Sequence, residues 1–480
     1  MFLAALDQTV ILTAIPEMLQ DMRVSLTQLD QASWIVTGYL LGYVSVLPLM
    51  GRMSDVHGRR SVYLAALAVF AAGSVACALA RGLWWLVAAR VTQAIGGGAL
   101  LPVTFAIAAD ELPEPRRPFW LGAIGAAAEA GGVLGPLYGA AIVQHVGWRW
   151  IFWLNVPLTA LISLSLMRGS GEQRVEHKRG VDYLGGALFA VTISALTVAL
   201  SGSADPTKSA SPIELRRAAA LLPVAAAAGA LFIWRQRAAP LPLIPLSLFR
   251  ARPFAAANGA NALVGVALIA AMVDVPLFAG TVLGRAPIDA GLALLRLTVC
   301  IPIGALAGGW LAARSRWPAV AVAGLLLAAT GFLLMSRWTL TVSDAAMTPG
   351  LVLAGLGFGL VIAPVTAAVL AAVGEANRAL STALLTVMRM AGMSVGLAAL
   401  TSVAFFRFNQ LVGRISFPLP NPGDTPEAIG RRMAEYQAAL TQAALDVFTA
   451  IFLIAGLICL ANCLLALFIG GARRRPEPNP

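Results

Sequence analysis

GRMSDVHGRR, at residues 51–60, is a short polar segment between two long apolar runs. The runs cover 32–51 and 61–80, and each has about the 20 residues that a helix needs to cross a bilayer. Gly51 and Gly58 permit a tight connection between helices, because glycine adopts backbone conformations that other residues avoid. The stretch therefore predicts two antiparallel membrane-spanning helices joined at one membrane surface.

The charges of this segment suit that position. Asp55 can accept hydrogen bonds from a helix N-terminus or from an arginine across a bundle, and Arg59 and Arg60 can anchor at the lipid surface. If the N-terminus is cytoplasmic, 19 of the 34 Lys and Arg residues lie on the same side as this segment. The positive-inside rule therefore places the segment and both chain termini in the cytoplasm.

The whole composition supports a membrane protein. Of the 480 residues, 59% are hydrophobic and 12% are charged, about half the charged share of a soluble protein. A soluble fold could not bury so much apolar surface. A cytosolic enzyme, a nucleic-acid-binding protein and a secreted module are therefore excluded, and the net charge of +11 is mainly a topology signal.

Apolar runs of spanning length predict an all-α integral membrane protein with fourteen transmembrane helices. They lie near 1–20, 32–51, 61–80, 84–108, 119–143, 148–167, 183–202, 217–235, 254–280, 288–312, 317–336, 349–373, 380–406 and 441–470.

The two halves of the chain resemble each other weakly. A second glycine-rich, basic segment at 308–316 lies where 51–60 would recur if the seventh and eighth spans are an insertion. Duplicated helical bundles are typical of secondary transporters. We predict a six-helix bundle at 1–167, two inserted linker helices with their flanking loops at 168–253, and a second six-helix bundle at 254–480.

The sequence offers no cofactor site. Its four cysteines lie within apolar runs without metal-ligand spacing, and its three histidines are scattered. It has no G-x-x-x-x-G-K-[ST] loop for direct use of ATP, and no set of catalytic residues at one membrane face. We expect no metal, no cofactor and no enzymatic activity.

Several motifs together resemble those of the major facilitator superfamily. Segment 51–60 resembles its signature loop, with Val56 where a basic residue is usual. Four further segments resemble motifs of its fourteen-span drug:proton antiporters, and the third of them matches the antiporter motif through Gly131, Gly135, Pro136 and Gly139. They are LDQT with AIP at 6–9 and 14–16, RVTQAIG at 90–96, GGVLGPLYG at 131–139 and WRWIFWLNVP at 148–157.

The resemblance implies two six-helix bundles with two linker helices, alternating access and proton coupling. Other segments resemble the mycobacterial triacylglycerol exporters, which also act in multidrug tolerance and work with a periplasmic lipid-carrier lipoprotein. They are WIVTGYLLGY at 34–43, GALLP at 98–102, MRMAGM at 388–393 and RFNQ at 407–410. This likeness implies lipid export and a bacterial cytoplasmic (inner) membrane location.

Charged residues within the predicted spans are candidates for function, because each costs roughly 2.5–3.5 kcal/mol at the bilayer centre. Glu129 and Arg389 lie at similar depths, about 15 Å from the cytoplasmic side at 1.5 Å per residue. We predict an ion pair between them across a central cavity; a static bridge that fixes helix packing is the alternative. Asp7 could share Arg389 or take up a proton, and Arg90 could influence a nearby carboxylate.

A second charge pair is predicted near the outer surface. Asp274 and Arg296 fall at similar depth in neighbouring spans, and a structural role is favoured for them.

The last two spans predict helices that extend beyond the bilayer, as a periplasmic hairpin at about 404–445. From Pro426 to Gly470 no second proline occurs, so one helix could be about 67 Å long against about 30 Å of hydrocarbon. Arg407, Phe417 and Leu419 mark the extension. Either the hairpin packs on itself, or it passes a hydrophobic cargo to a periplasmic carrier.

The function predicted from the sequence is export of a triacylglycerol-like lipid by alternating access, driven by protons. Proton-coupled efflux of amphiphilic drugs is the alternative, and a receptor without transport is a remote one. The expected partners are the lipid or drug substrate, protons, membrane lipids and a periplasmic lipid carrier, but no nucleic acid.

Overall fold

The computed structural model describes residues 2–23, 29–111, 117–168, 180–201, 215–240, 242–373, 378–418 and 425–470. Some side chains within these ranges, including those of Asp55 and Glu129, are not described. Leu419 lies outside the described ranges. All regular secondary structure in the described ranges is helical.

The helices follow the predicted runs. They are α1 (Phe2–Val10), α2 (Ile15–Asp21), α3 (Leu29–Ala32), α4 (Trp34–His57), α5 (Arg59–Ala78), α6 (Leu83–Glu111), α7 (Arg117–Val146), α8 (Arg149–Trp153), α9 (Asn155–Arg168), α10 (Tyr183–Leu200), α11 (Leu215–Ala238), α12 (Arg252–Thr281), α13 (Pro287–Arg314), α14 (Trp317–Met335), α15 (Asp344–Ala371), α16 (Arg378–Val412) and α17 (Pro426–Ala466), with short 3-10 helices at Ile11–Thr13 and Leu246–Arg250.

Among the described residues, twelve helices are long and apolar enough to cross a membrane. The first predicted span is a broken helix: Phe2–Thr13 and Ile15–Asp21 meet at 63° and together would form a thirteenth span. Helix α7 covers the predicted run at 119–143. The prediction of an all-α, multi-pass membrane protein is confirmed.

The helices pack as two groups with a hairpin between them. In the first group α6 packs on α4 and α5, and α1 packs on α7; in the second, α15 packs on α13 and α14, while α12 packs on α16 and α17. Helices α10 and α11 pack on each other, and α10 also contacts α4 of the first group and α16 of the second. The groups meet directly where α7 faces α13 and α4 faces α16.

Successive spans run in opposite directions, so their connections gather at two ends of the bundle. We name the ends after two glycines with positive φ: Gly58 (φ 89°) joins α4 to α5, and Gly147 (φ 89°) lies between α7 and α8. Side chains with a Cβ rarely adopt this conformation. Gly58 is thus required by the turn that the sequence predicts at 51–60.

The inserted hairpin is held together at the Gly58 end. Asp182 caps α10 by accepting from the backbone N–H of Gly185 at 3.0 Å. The same carboxylate accepts from Arg235 Nε and Gln236 Nε2 on α11, each at 3.1 Å. Because Asp182 is buried, these bonds satisfy a carboxylate that would otherwise be costly to bury.

The last two spans extend beyond the Gly147 end. At 1.5 Å per residue, the 35 residues of α16 and the 41 residues of α17 correspond to about 52 Å and 61 Å. Thr425 caps α17 by accepting from the N–H of Ala428 at 3.3 Å, and α17 ends at Ala466, four residues before the predicted end at Gly470. Phe417 packs edge-on against Tyr436 of α17, with ring centroids 5.3 Å apart.

Candidate substrate cavity and buried charge network

A central cavity of about 230 Å³ lies between the two groups of helices. Both groups contribute to its walls, which are mostly apolar. The lining residues are Ala4, Ala5, Gln8, Thr9, Tyr43, Leu101, Phe105, Gly132 and Val133 from the first group, and Val264, Leu268, Met272, Thr298, Ile301, Phe358, Ile362, Thr386, Arg389, Met390 and Met393 from the second.

The two groups are in contact on the Gly147 side of this cavity. Thr298 donates to the Val133 carbonyl at 3.3 Å, and Gly291 lies so close to α7 that an added Cβ would be 2.7 Å from Ala140 Cβ. In the opposite direction the lining continues towards the Gly58 end through Phe105 and Ile362. The cavity is therefore bounded at one end by an interface between the groups.

Arg389 contributes a guanidinium to the cavity wall. Across the cavity, Gln8 of the first group contacts Met390 of the second, with Nε2 3.0 Å from the sulfur. The predicted partner of Arg389, Glu129, lies on α7, but its side chain is outside the described residues. The Glu129–Arg389 pair thus stays a prediction.

Asp7 pairs with Arg90 and not with Arg389, the partner that the sequence suggested for it. It is fully buried within the first group and forms an ion pair with Arg90, whose Nη1 is 2.9 Å from Asp7 Oδ2. Its other oxygen accepts from Gln93 Nε2 at 2.9 Å and from Asn155 Nδ2 at 2.7 Å. Asp7 therefore belongs to a network inside one bundle, next to the cavity but not on its wall as described.

An aromatic ring completes the surroundings of Arg90. The guanidinium carbon lies 4.0 Å from the centroid of the Tyr39 ring, a distance at which a cation and a ring attract each other. Within the described part of the chain, Arg90 Nε and Nη2 have no hydrogen-bond acceptor. The ring face of Tyr39 thus replaces part of the solvation that the buried cation has lost.

Three members of this network were missed by sequence reasoning: Tyr39, Gln93 and Asn155. Each stands inside a segment already quoted, at 34–43, 90–96 and 148–157. A polar residue within an otherwise apolar helix was the signal that could have found them. Their partners could not be read from the sequence, because Asp7 lies 86 residues from Gln93 and 148 from Asn155.

The antiporter motif explains how α7 packs on α1. A Cβ at Gly131, Gly135 or Gly139 would overlap atoms of α1, so these glycines allow the two backbones to approach closely. Pro136 lacks an N–H and leaves the carbonyl four residues earlier without its helical donor. That carbonyl, of Gly132, accepts from Thr9 Oγ1 of α1 at 3.0 Å instead.

The segment at 148–157 forms hydrogen bonds and an ion pair with other parts of the first bundle at its Gly147 end. Arg149 Nη1 pairs with Asp21 Oδ2 at 2.7 Å, and its Nη2 donates to the Ala80 carbonyl at 3.2 Å. Trp148 Nε1 also donates to Asp21, at 3.2 Å. These bonds join the start of α8 to α2 and to the segment that follows α5.

The predicted pair of Asp274 and Arg296 is not formed. Arg296 instead donates to Asp344 at 3.0 Å, together with Arg285 from the preceding loop. Because Asp344 begins α15, which packs along α13, its carboxylate is within reach of Arg296. Within the described residues Asp274 makes no hydrogen bond or ion pair.

The remaining predicted site residues lie at the two ends of the bundle. Gly51 and Gly58 are in and after α4, and Arg59 and Arg60 begin α5 at the Gly58 end; the side chain of Asp55 is outside the description. At the other end Arg407 is exposed on α16, and Phe417 is 58% exposed. Among the described residues, no group of three or more His, Cys, Asp and Glu could hold a metal.

A central cavity between two helical groups that are joined by an inserted hairpin is the arrangement of a membrane transporter. The chain belongs to the major facilitator superfamily, whose family model matches residues 1–397. A triacylglyceride transporter of Mycolicibacterium smegmatis is 38% identical, over 99% of this chain and 86% of that protein. A triacylglyceride transporter of Mycobacterium tuberculosis is also 38% identical, over 99% and 93%.

Solved structures share the fold at low sequence identity. A bacterial homologue of the human lysosomal transporter Spinster, in an inward-facing and occupied conformation, has a TM-score of 0.64 and 16% identity, over 98% of this chain and 94% of that one. A D-xylose–proton symporter has a TM-score of 0.64 and 13% identity, over 95% and 94%. These likenesses concern the fold alone.

Proposed function

We propose that this protein exports a triacylglycerol-like lipid from the bacterial cytoplasmic membrane to the periplasm, by proton-coupled alternating access. The observation that carries the proposal is the character of the cavity: its walls are mostly apolar, and Arg389 is its charged lining residue among the described side chains. The similarity to the mycobacterial triacylglyceride transporters supports the same substrate.

The polar groups of the cavity suit an ester-rich, uncharged lipid. Gln8 and Arg389 carry side-chain N–H donors, which match the carbonyl acceptors of a glycerol ester. At about 230 Å³ the cavity is smaller than the roughly 300–1,000 Å³ of pockets that enclose drug-sized ligands. It can hold the glycerol esters, while long acyl chains must extend between the helices.

Alternating access requires the interface on the Gly147 side to open while the Gly58 side closes. We take 1–167 and 254–480 as the two moving bundles, with the α10–α11 hairpin between them. The chain termini and loops at the Gly58 end hold 19 of the 34 Lys and Arg residues, so the positive-inside rule favours a cytoplasmic position for this end. Because the groups are in contact on the Gly147 side and the cavity lining continues towards the Gly58 end, we assign the described conformation to the inward-facing state of this cycle.

Proton coupling would use the charges inside the bundles. Asp7 is stabilised as a carboxylate by Arg90 and two amide donors, so protonating it weakens the pair with Arg90. In the cavity, Glu129 would pair with Arg389 in one state and release it in another. Coupling follows if these two changes favour different conformations.

The extension at the Gly147 end would deliver the lipid. On the proposed orientation α16 and α17 project into the periplasm, where a long apolar lipid cannot diffuse freely through water. Phe417 exposes its ring at the turn between them. A periplasmic lipid-carrier protein docked on this turn would receive the cargo without exposing it to water.

Transport of a fluorescent triacylglycerol from proteoliposomes to an acceptor carrier tests the proposal. Wild type should release lipid faster with a proton gradient, and Arg389→Ala should abolish release. Arg337→Ala, which removes an exposed arginine from the Gly147 end, is the matched control and should keep wild-type release. Folded protein that moves no lipid but carries ethidium in a proton-dependent manner would refute lipid export and identify a drug antiporter.

A further inference from the structure

The carboxylate of Asp7 is surrounded by donors only. Arg90 Nη1, Gln93 Nε2 and Asn155 Nδ2 donate to it at 2.9, 2.9 and 2.7 Å. An ionised carboxylate only accepts hydrogen bonds, whereas a protonated one must also donate its O–H. The network as arranged therefore fits the ionised form, and protonation requires one neighbour to become an acceptor.

Arg90 cannot change in this way, because a guanidinium has no acceptor atom. Gln93 is fixed from two sides. Its Oε1 accepts from Arg90 at 2.7 Å, and its Nε2 donates to Ser74 Oγ at 2.8 Å. Ser74 uses its own hydrogen on the Phe70 carbonyl at 2.9 Å. If the Gln93 amide turned, its N–H groups would face those of Arg90, and the hydrogen bond between Arg90 and Gln93 would be lost.

Asn155 is free of these restraints. The side-chain amide donates to Asp7 and makes no other hydrogen bond among the described residues. It is 3% exposed, at the first residue of α9, where the helix restarts after a break at Leu154. Half a turn about its Cβ–Cγ bond would present Oδ1 to Asp7 in place of Nδ2, with no second bond to break.

We propose that Asn155 is the residue that positions the transported proton on Asp7. Its amide donates to the carboxylate and, after turning, accepts from the carboxylic acid. This inference rests on the proposed proton coupling through Asp7. The proton adds to a carboxylate oxygen, and its O–H then points to Asn155 Oδ1 and away from Arg90. Asn155 is a positioning residue, since it holds the proton through Asp7.

The other titratable groups near Asp7 are Arg90, Tyr39 and Cys77, and none of them accepts the proton of the carboxylic acid. Arg90 stays charged over the ring of Tyr39 and loses only its negative partner. Cys77 meets the network through Gln93, with Sγ 3.9 Å from Oε1. Neither the phenol of Tyr39 nor the thiol of Cys77 hydrogen-bonds to Asp7 among the described contacts, so neither provides the missing acceptor.

Infrared difference spectroscopy of the full-length protein in lipid, between alkaline and acidic buffer, tests the proposal. A carbonyl band of a protonated carboxylic acid should appear on acidification and be lost in Asp7→Asn. In Asn155→Leu the acid loses its acceptor, so the band should move to higher frequency. Asn258→Leu, which removes a buried amide that donates to the Phe254 carbonyl at 2.9 Å, should leave the band unmoved.

A labelled wild-type sample covers the case in which Asn155→Leu does not fold. With ¹³C-asparagine, an asparagine carbonyl band should shift when Asp7 is protonated, and this shift should be absent in Asp7→Asn. If the frequency of the Asp7 carbonyl band is the same in Asn155→Leu as in wild type, or if no asparagine band shifts, the role of Asn155 is overturned. No Asp7 band at any pH would instead overturn proton coupling through Asp7 itself.

Discussion

The buried pair of Asp7 and Arg90 makes a quantitative prediction about stability. Both side chains are 0% exposed, and the pair is 2.9 Å apart. Removing one partner of such a pair typically costs about 3–5 kcal/mol, because the other charge is left buried without compensation. Arg90→Met, which keeps the apolar length of the side chain, is therefore expected to lower the free energy of unfolding by this amount.

The double variant separates the ion pair from its surroundings. In Asp7→Asn with Arg90→Met no unpaired charge is left in the bundle, and apolar replacements of buried pairs are often neutral. The Asn side chain can still accept from Gln93 and Asn155. A coupling energy of about 2–3 kcal/mol is expected, so the double variant should be more stable than the sum of the single losses predicts.

Equilibrium unfolding in mixed micelles with increasing dodecyl sulfate, followed by circular dichroism, measures these differences. Asp344→Asn is the control for an exposed pair, since Asp344 is 54% exposed, and it should cost no more than about 1 kcal/mol. Strictly additive losses in the two single variants would show that Asp7 and Arg90 do not stabilise each other, and would refute the network described above.

Three further predictions concern helix packing, a glycine with positive φ and a carboxyl group without a partner among the described residues. Gly135→Ala should lower the free energy of unfolding by about 1–3 kcal/mol, because the added methyl group overpacks against α1. Gly132→Ala is the control and should be nearly neutral in the same unfolding assay, since an added Cβ there meets nothing within 4 Å. Equal losses in the two variants would contradict the packing of α7 on α1. Gly58→Ala should cost about 1–2 kcal/mol, because Gly58 has a φ of 89°, and a neutral result in thermal unfolding would contradict this reason. Asp274→Asn should not lower the melting temperature, since Asp274 makes no hydrogen bond or ion pair among the described residues; a clear loss would reveal a partner.

The sequence identified the charged residues within the spans but did not identify their partners. Asp7, Arg90 and Arg389 were each recognisable, because a charge inside an apolar span is costly and needs a purpose. Depth along a helix predicted Asp274 beside Arg296, yet Arg296 pairs with Asp344. Similar depth is a weak guide, since it does not say which helices are neighbours or which faces they share.

The sequence by itself determined the membrane location, the positions of the helices and the overlong last pair, because helix length and apolar run length are local properties of the chain. It also indicated the tight turn at Gly58. Only the tertiary structure decided that Asp7 is buried with Arg90, Gln93 and Asn155, and that Arg389 faces a cavity. These partners lie 83 to 148 residues from Asp7, and their meeting depends on how α1, α6 and α9 pack, which local patterns do not encode.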